Sequence, residues 1–179
     1  MSKGSVYRPI VGTLAYVWDA FTDTVLLVHR NARDDDEHFG KYNGLGGKLE
    51  PNEDLVSSLR RELREEASIE LTTFALRGSI SWPGFGANGE DWLGFIFVVH
   101  SWSGQVPALN SEGTLSWVAR ARLLDACHDD PAIRAAAALP MWEGDRHFLP
   151  MVFDADPMPF WGVMPYVGGR PVDWRYCRA

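Results

Sequence analysis

From Gly47 to Ile69 the chain reads GKLEPNEDLVSSLRRELREEASI, and the apolar residues in that run recur at helical spacing. On a helix of about 3.6 residues per turn, with Glu62 set to zero, Leu55, Val56, Leu59, Leu63 and Ala67 fall at roughly 20° to 140°. One dry stripe on an otherwise charged helix has to be covered, so the chain needs a second layer for this helix to pack on. Pro51 and Asn52 open the helix, with Asn52 as a reasonable N-cap. Glu53 and Asp54 then occupy the first turn, where the helix dipole favours acids.

The same projection puts Glu65 near 300° and Glu66 near 40°, so Glu62, Glu65 and Glu66 border the apolar stripe and can converge. Arg60, Arg61, Arg64 and Ser57 take the far side. An ordinary solvated face would explain the Arg61–Glu65 pair at i,i+4, which is worth a few tenths of a kcal/mol. It does not explain the rest. Glu62 and Glu66 repel each other, and all three acids lie in the later turns, where the dipole disfavours negative charge. A hard cation with oxygen ligands would neutralise the arrangement.

These residues resemble the Nudix box: a glycine, five residues, a glutamate, seven residues, then Arg-Glu-aliphatic-x-Glu-Glu-x-Gly-aliphatic. The matching places are Gly47, Glu53, Arg61, Glu62, Leu63, Glu65, Glu66, Ser68 and Ile69. Ser68 departs from the pattern, at a helix end where glycine adopts left-handed geometry more cheaply. The resemblance implies that Glu62, Glu65, Glu66 and the carbonyl of Gly47 hold Mg²⁺ or Mn²⁺. It implies that water is the nucleophile and that Glu65, Glu66 or an acid outside the box is the general base. Glu112, five residues before Trp117, is the best candidate for that outer acid, with a turn residue in NSEG as its plain alternative. Arg61 is expected to orient the glutamates through charge-assisted hydrogen bonds. Glu53 either stabilises the helix start or ties the loop to the helix near the metal.

Two further pieces bear on substrate. YNGLGGK, Tyr42 to Lys48, is similar to the WNGFGGK run of oxidised-purine nucleoside triphosphate diphosphatases, in which the asparagine reads the base; Asn43 holds that place. MWEGD, Met141 to Asp145, is similar to their MWPDD, in which tryptophan stacks on the purine and two acids bind its edge. Trp142 and Asp145 match, while Gly144 replaces the first acid. One lost buried hydrogen-bonding group is worth on the order of 1 to 3 kcal/mol, which weakens selectivity for an oxidised guanine. Lys48 can reach a phosphate, and Trp82, Phe85 and Trp92 flank the Gly-rich turn as further pocket candidates. The implied reaction converts a purine nucleoside triphosphate, 8-oxo-dGTP among the candidates, to monophosphate and pyrophosphate. Within enzymes the alternative is a hydrolase of a dinucleoside polyphosphate or nucleotide sugar; outside them it is a non-catalytic binding module.

The remaining pattern predicts strands at Ile10 to Trp18, Val25 to Val28, Leu71 to Trp82, Trp92 to Trp102 and Leu115 to Ala119. Asn31 to Tyr42, with Asp34, Asp35, Asp36 and Glu37 in a row, reads as a solvated loop. A helical piece at Pro131 to Ala138 and the segment Asp145 to Phe153 follow, then a hairpin, Phe160 to Val167 with Pro171 to Tyr176. Strands and helices mix without strict alternation, so we expect one α/β (α+β) domain over 1–179, a sandwich of a mixed sheet with helices outside. The net charge of −7, with no basic run longer than two residues, argues against a nucleic-acid polymer as partner and leaves a small-molecule nucleotide. Cys127 and Cys177 are expected as free thiols. No stretch reads as a signal sequence or membrane span, and the expected location is cytoplasmic.

Overall fold

A computed structural model describes residues 6–35 and 38–179. Asp36 and Glu37, half of the acidic run, lie outside the described residues. The order is β1 (Ile10–Asp19), β2 (Thr24–His29), β3 (Tyr42–Asn43), α1 (Leu55–Ala67), β4 (Ile69–Trp82), β5 (Trp92–Gly104), β6 (Thr114–Ala119), α2 (Arg120–Asp125), α3 (Pro131–Ala137), α4 (Asp145–Val152), β7 (Phe160–Val163), β8 (Tyr166–Val167), β9 (Arg170–Pro171) and β10 (Arg175–Arg178). The main sheet runs β10-β7-β4-β5-β1-β2-β3, with β6 on the other edge of β2. It is mixed: β1 with β5 and β4 with β7 are parallel, and the other pairs are antiparallel.

Alternation along β1 feeds two cores. Tyr16 points into a cluster with Leu123 of α2 and Phe148, Leu149 and Val152 of α4. Its neighbours Ala15 and Val17 point into the opposite cluster with Leu59, Leu63 and Ala67 of α1. Period-two side chains thus dictate one helical layer on each face, the α/β/α sandwich with a mixed central sheet expected from the pattern.

The site depends on a split in this sheet. β1 and β2 pair only from Val17↔Leu26 to Asp19↔Thr24; beyond that they part, and the chain after β3 enters between them. Thr13 N–H donates to the Gly47 carbonyl at 2.9 Å, Ala15 and Leu45 exchange bonds of 2.6 and 2.9 Å, and Leu49 N–H donates to Val11 O at 2.9 Å. The glycine-rich segment is therefore held as a strand-like wedge with the α1 carboxylates beside it.

Three expectations change. The N-cap of α1 is Asp54, whose carboxylate accepts from Val56 N at 2.8 Å and Ser57 N at 2.9 Å. Asn52, with φ of 71°, is in the turn before it, so the helix starts at Leu55 and Glu53 precedes it. Val56, in that first turn, is 38% exposed, while Ser58, on the opposite side of the helix, is fully buried. The C-terminal hairpin divides: β7 pairs with β10 and joins the main sheet through β4, whereas β8 and β9 form a separate ribbon around Gly168 and Gly169. The short helix α2 has no counterpart in the sequence pattern. The expected left-handed end of α1 is present, with Ser68 at φ 56°, ψ 35°.

Candidate active site

Arg61 ties the loop to the helix. Its Nε and Nη2 donate to the two oxygens of Glu53 at 2.8 and 3.0 Å, Nη2 also to the Lys48 carbonyl at 3.1 Å, and Nη1 to Glu62 at 2.9 Å and Glu65 at 3.2 Å. The planar fork suits such multiple recognition, and lysine cannot reproduce it. These acceptors hold the guanidinium pKa above its ordinary value, with the Glu53 hydrogen bonds as the largest cause. Glu53 is held below its ordinary range by the same bonds.

The box acids do not meet at one point. The Glu65 side chain is 59% exposed and contacts Arg61. Glu62 and Glu66 lean onto the wedge instead. Glu66 accepts the Gly46 N–H at 2.9 Å, and a Cβ on Gly47 would sit 2.5 Å from a Glu62 oxygen, so only glycine admits that approach. Glu112, from the loop before β6, completes the group and forms an ion pair with Arg30. Burial raises the Glu66 pKa, and repulsion from Glu112 and Glu62 adds to it. The Glu62 pKa is also raised, by burial first, although the Arg61 hydrogen bond opposes the shift. Among the described residues, no three acid, histidine or cysteine side chains stand close enough to clasp an ion unaided.

That crowding tests the metal expectation. Negative charge gathers beside Gly47 faster than Arg61 and Arg30 offset it, and the donors are all oxygens, the set that hard divalent cations take. The residues present fit such an ion. Glu62, Glu66 and Glu112, with Glu65 swinging from Arg61 and the free lone pair of the Gly47 carbonyl, would hold it.

A cavity of about 490 Å³ opens from this point, lined by Gly47, Lys48 and Glu112 as well as by Asn43, Trp142 and Asp145. Trp82, Phe85 and Trp92 also line it, as their positions around the Gly-rich turn suggested. Phe85 meets Trp142 edge-on with ring centroids 5.7 Å apart, and the Lys48 ammonium lies 5.3 Å from the centre of the Trp92 ring. Trp142 N–H donates to Asp145 at 3.2 Å, yet burial pushes the Asp145 carboxyl up to about 7. The hydroxyl of Thr13, a further lining residue, and the indole N–H of Trp92 have no hydrogen-bond partner among the described residues.

Sequence reasoning missed four residues here. His38 Nδ1 lies 2.9 Å from the Trp142 indole nitrogen and 3.2 Å from the Asn43 amide nitrogen. An indole N–H only donates, so His38 Nδ1 is an acceptor and Asn43 must turn its NH₂ toward it. Arg30 pairs with Glu112, and Tyr16 and Tyr166 form part of the cavity wall. His38 sits in a loop and the tyrosines read as strand residues, so no local pattern set them apart.

Comparison with known proteins agrees with this fold. Residues 8–150 match the family model described as NUDIX domain. An uncharacterised Nudix hydrolase of Bacillus subtilis, YvcI, is 31% identical over 131 residues, spanning 71% of this chain and 70% of that protein. Among solved structures, the mutator MutT protein from Bacillus halodurans superposes with a TM-score of 0.74 at 24% identity, covering 93% of this chain and 97% of that one. The MutT NUDIX hydrolase from Burkholderia pseudomallei superposes with a TM-score of 0.54 at 25% identity, covering 73% and 97% respectively.

Proposed function

The chain belongs to the Nudix family, and from that premise we propose that it hydrolyses a purine nucleoside triphosphate to the monophosphate and pyrophosphate. The observation that carries the reading is that one cavity joins Gly47, Lys48 and Glu112 of the acidic cluster to Asn43, Trp142 and Asp145. A nucleotide needs both ends: charge compensation at its phosphates and an aromatic, hydrogen-bonding pocket at its base.

Bound Mg²⁺ or Mn²⁺ would supply charge neutralisation and a more acidic water. The chain's own groups do the rest. Arg61 keeps Glu62 and the Lys48–Glu53 loop in register, Lys48 attracts the phosphates, and Trp142 and Phe85 offer apolar faces to the base. Glu66 and Glu112 are the half-buried acids suited to take a proton from the attacking water, with Glu65 as the exposed third. Asn43 and Asp145 read the base edge. Oxidised purines such as 8-oxo-dGTP belong in the test panel, because both base-reading residues are retained although Gly144 removes a carboxyl.

The experiment is a panel of normal and oxidised nucleoside triphosphates, dinucleoside polyphosphates and nucleotide sugars with Mg²⁺ or Mn²⁺, with products identified by mass. Purine triphosphates should give monophosphate and pyrophosphate, and both Glu66→Gln and Glu65→Gln should lower turnover by orders of magnitude without loss of folding. Clear turnover of a linked dinucleotide beside none of any triphosphate would overturn the reading.

A further inference from the structure

The carboxyl missing at Gly144 leaves a place that another polar group already occupies. A Cβ built on Gly144 would collide with the Tyr166 hydroxyl and lie 2.8 Å from the Met164 sulfur, so no side chain fits at 144 while Tyr166 keeps its position. Tyr166 comes from β8, beyond residue 150 where the family match ends. Its backbone N–H donates to Pro83 O at 2.8 Å, and its ring packs edge-on to Phe85 at 5.0 Å between centroids. The residue is 7% exposed and lines the cavity beside Asp145. Among the described residues no protein group hydrogen-bonds its hydroxyl. The hydroxyl faces the cavity rather than being sealed from it, so a ligand there can replace water as its partner.

We propose that Tyr166 is a specificity-determining residue of the base pocket, its hydroxyl replacing the carboxyl absent at Gly144 and selecting bases that carry a carbonyl beside a ring N–H. The inference rests on the proposed nucleotide pocket and deepens it. Two neighbouring carboxyls are equally acidic and can share or exchange one proton, so such a pair can present donor and acceptor in either order. A phenol beside a carboxyl cannot, because their ordinary acidities differ by about six units and the proton stays on the phenol. Here burial and the nearby Asp145 raise the Tyr166 pKa further. Above pH 7 Asp145 can therefore only accept, and the Tyr166 hydroxyl is the group beside it that can donate. A lactam edge, as in guanine or hypoxanthine, matches that pattern; the amino edge of adenine inverts it.

The test measures kcat/KM for dGTP, dITP and dATP at pH 8 with Mg²⁺ in the wild type, Tyr166→Phe and Gly144→Ala. Binding of GMP, IMP and AMP is followed in parallel by tryptophan fluorescence without metal. The wild type should prefer the oxo purines in both assays. Tyr166→Phe removes an oxygen with no protein partner, so thermal unfolding should be unchanged while the dGTP-to-dATP ratio falls on the order of tenfold to a hundredfold. Gly144→Ala should lower the same ratio by displacing the hydroxyl. A wild type that hydrolyses triphosphates with a ratio untouched by Tyr166→Phe overturns this inference and leaves the proposed function standing. A wild type that neither hydrolyses triphosphates nor binds monophosphates overturns both.

Discussion

Replacing Asp145 by asparagine should change how stability depends on pH. Burial moves this carboxyl from 3.8 to about 7, which at full value corresponds to roughly 4 kcal/mol of folding free energy. The sign follows from which state releases its proton first. The unfolded chain ionises near 3.8 while the folded carboxyl stays protonated, so the stability present below that pH is progressively lost as pH rises to about 7 and is flat above it. Asp145 lines an open cavity, and water there screens part of the penalty; about 2 kcal/mol is a better expectation for the observable change. Asparagine keeps the shape and cannot ionise. In urea titrations followed by tryptophan fluorescence, the stability of Asp145→Asn relative to wild type should therefore grow by about 2 kcal/mol between pH 3 and pH 8. All other titrating groups cancel in that difference. Parallel profiles for the two proteins would mean that the carboxyl is hydrated in the folded state, and the argument from burial would fail.

Ser68→Gly should stabilise the protein by about 1 kcal/mol, measured by chemical denaturation, because Ser68 sits at φ 56° where glycine carries no steric penalty. Unchanged or reduced stability would show that the serine side chain compensates. Arg61→Lys should preserve charge yet reduce turnover at least tenfold, because one ammonium cannot hold Glu53, Glu62 and the Lys48 carbonyl together. Hydrogen exchange should report a looser 48–53 loop; wild-type exchange and turnover would contradict the tie. His38→Ala should raise KM more than it lowers kcat, since His38 holds Trp142 and Asn43 on the base side of the cavity.

Features set within one or two turns or along one strand were legible in the residues themselves. The apolar stripe of α1 follows from spacings of three and four residues, the Ser68 terminus from the resemblance to the Nudix box, and the β1–β2 hairpin from alternation around a polar turn. The start of α1 was less determinate: Asn52 and Asp54 both have the chemistry of an N-cap, and backbone angles that the sequence does not display gave the role to Asp54. Val56 was misplaced because periodicity describes a helix face without saying where along the helix the covering sheet ends.

The residues that carry the chemistry and those that shape the pocket divide along the same line. By itself the sequence determined that Glu62, Glu65 and Glu66 share one arc of a helix, because 3.6-residue geometry is local and every hydrogen bond behind it spans four residues. Tertiary structure decided that Glu66 meets Glu112 while Glu65 stays out on Arg61, that His38 reaches Trp142, and that Tyr166 occupies the space left by Gly144. Those meetings join segments far apart in the chain. They depend on how the glycine wedge splits β1 from β2 and where the β8 ribbon lands, and long-range strand placement is fixed by the packing of two whole cores, which no local spacing encodes.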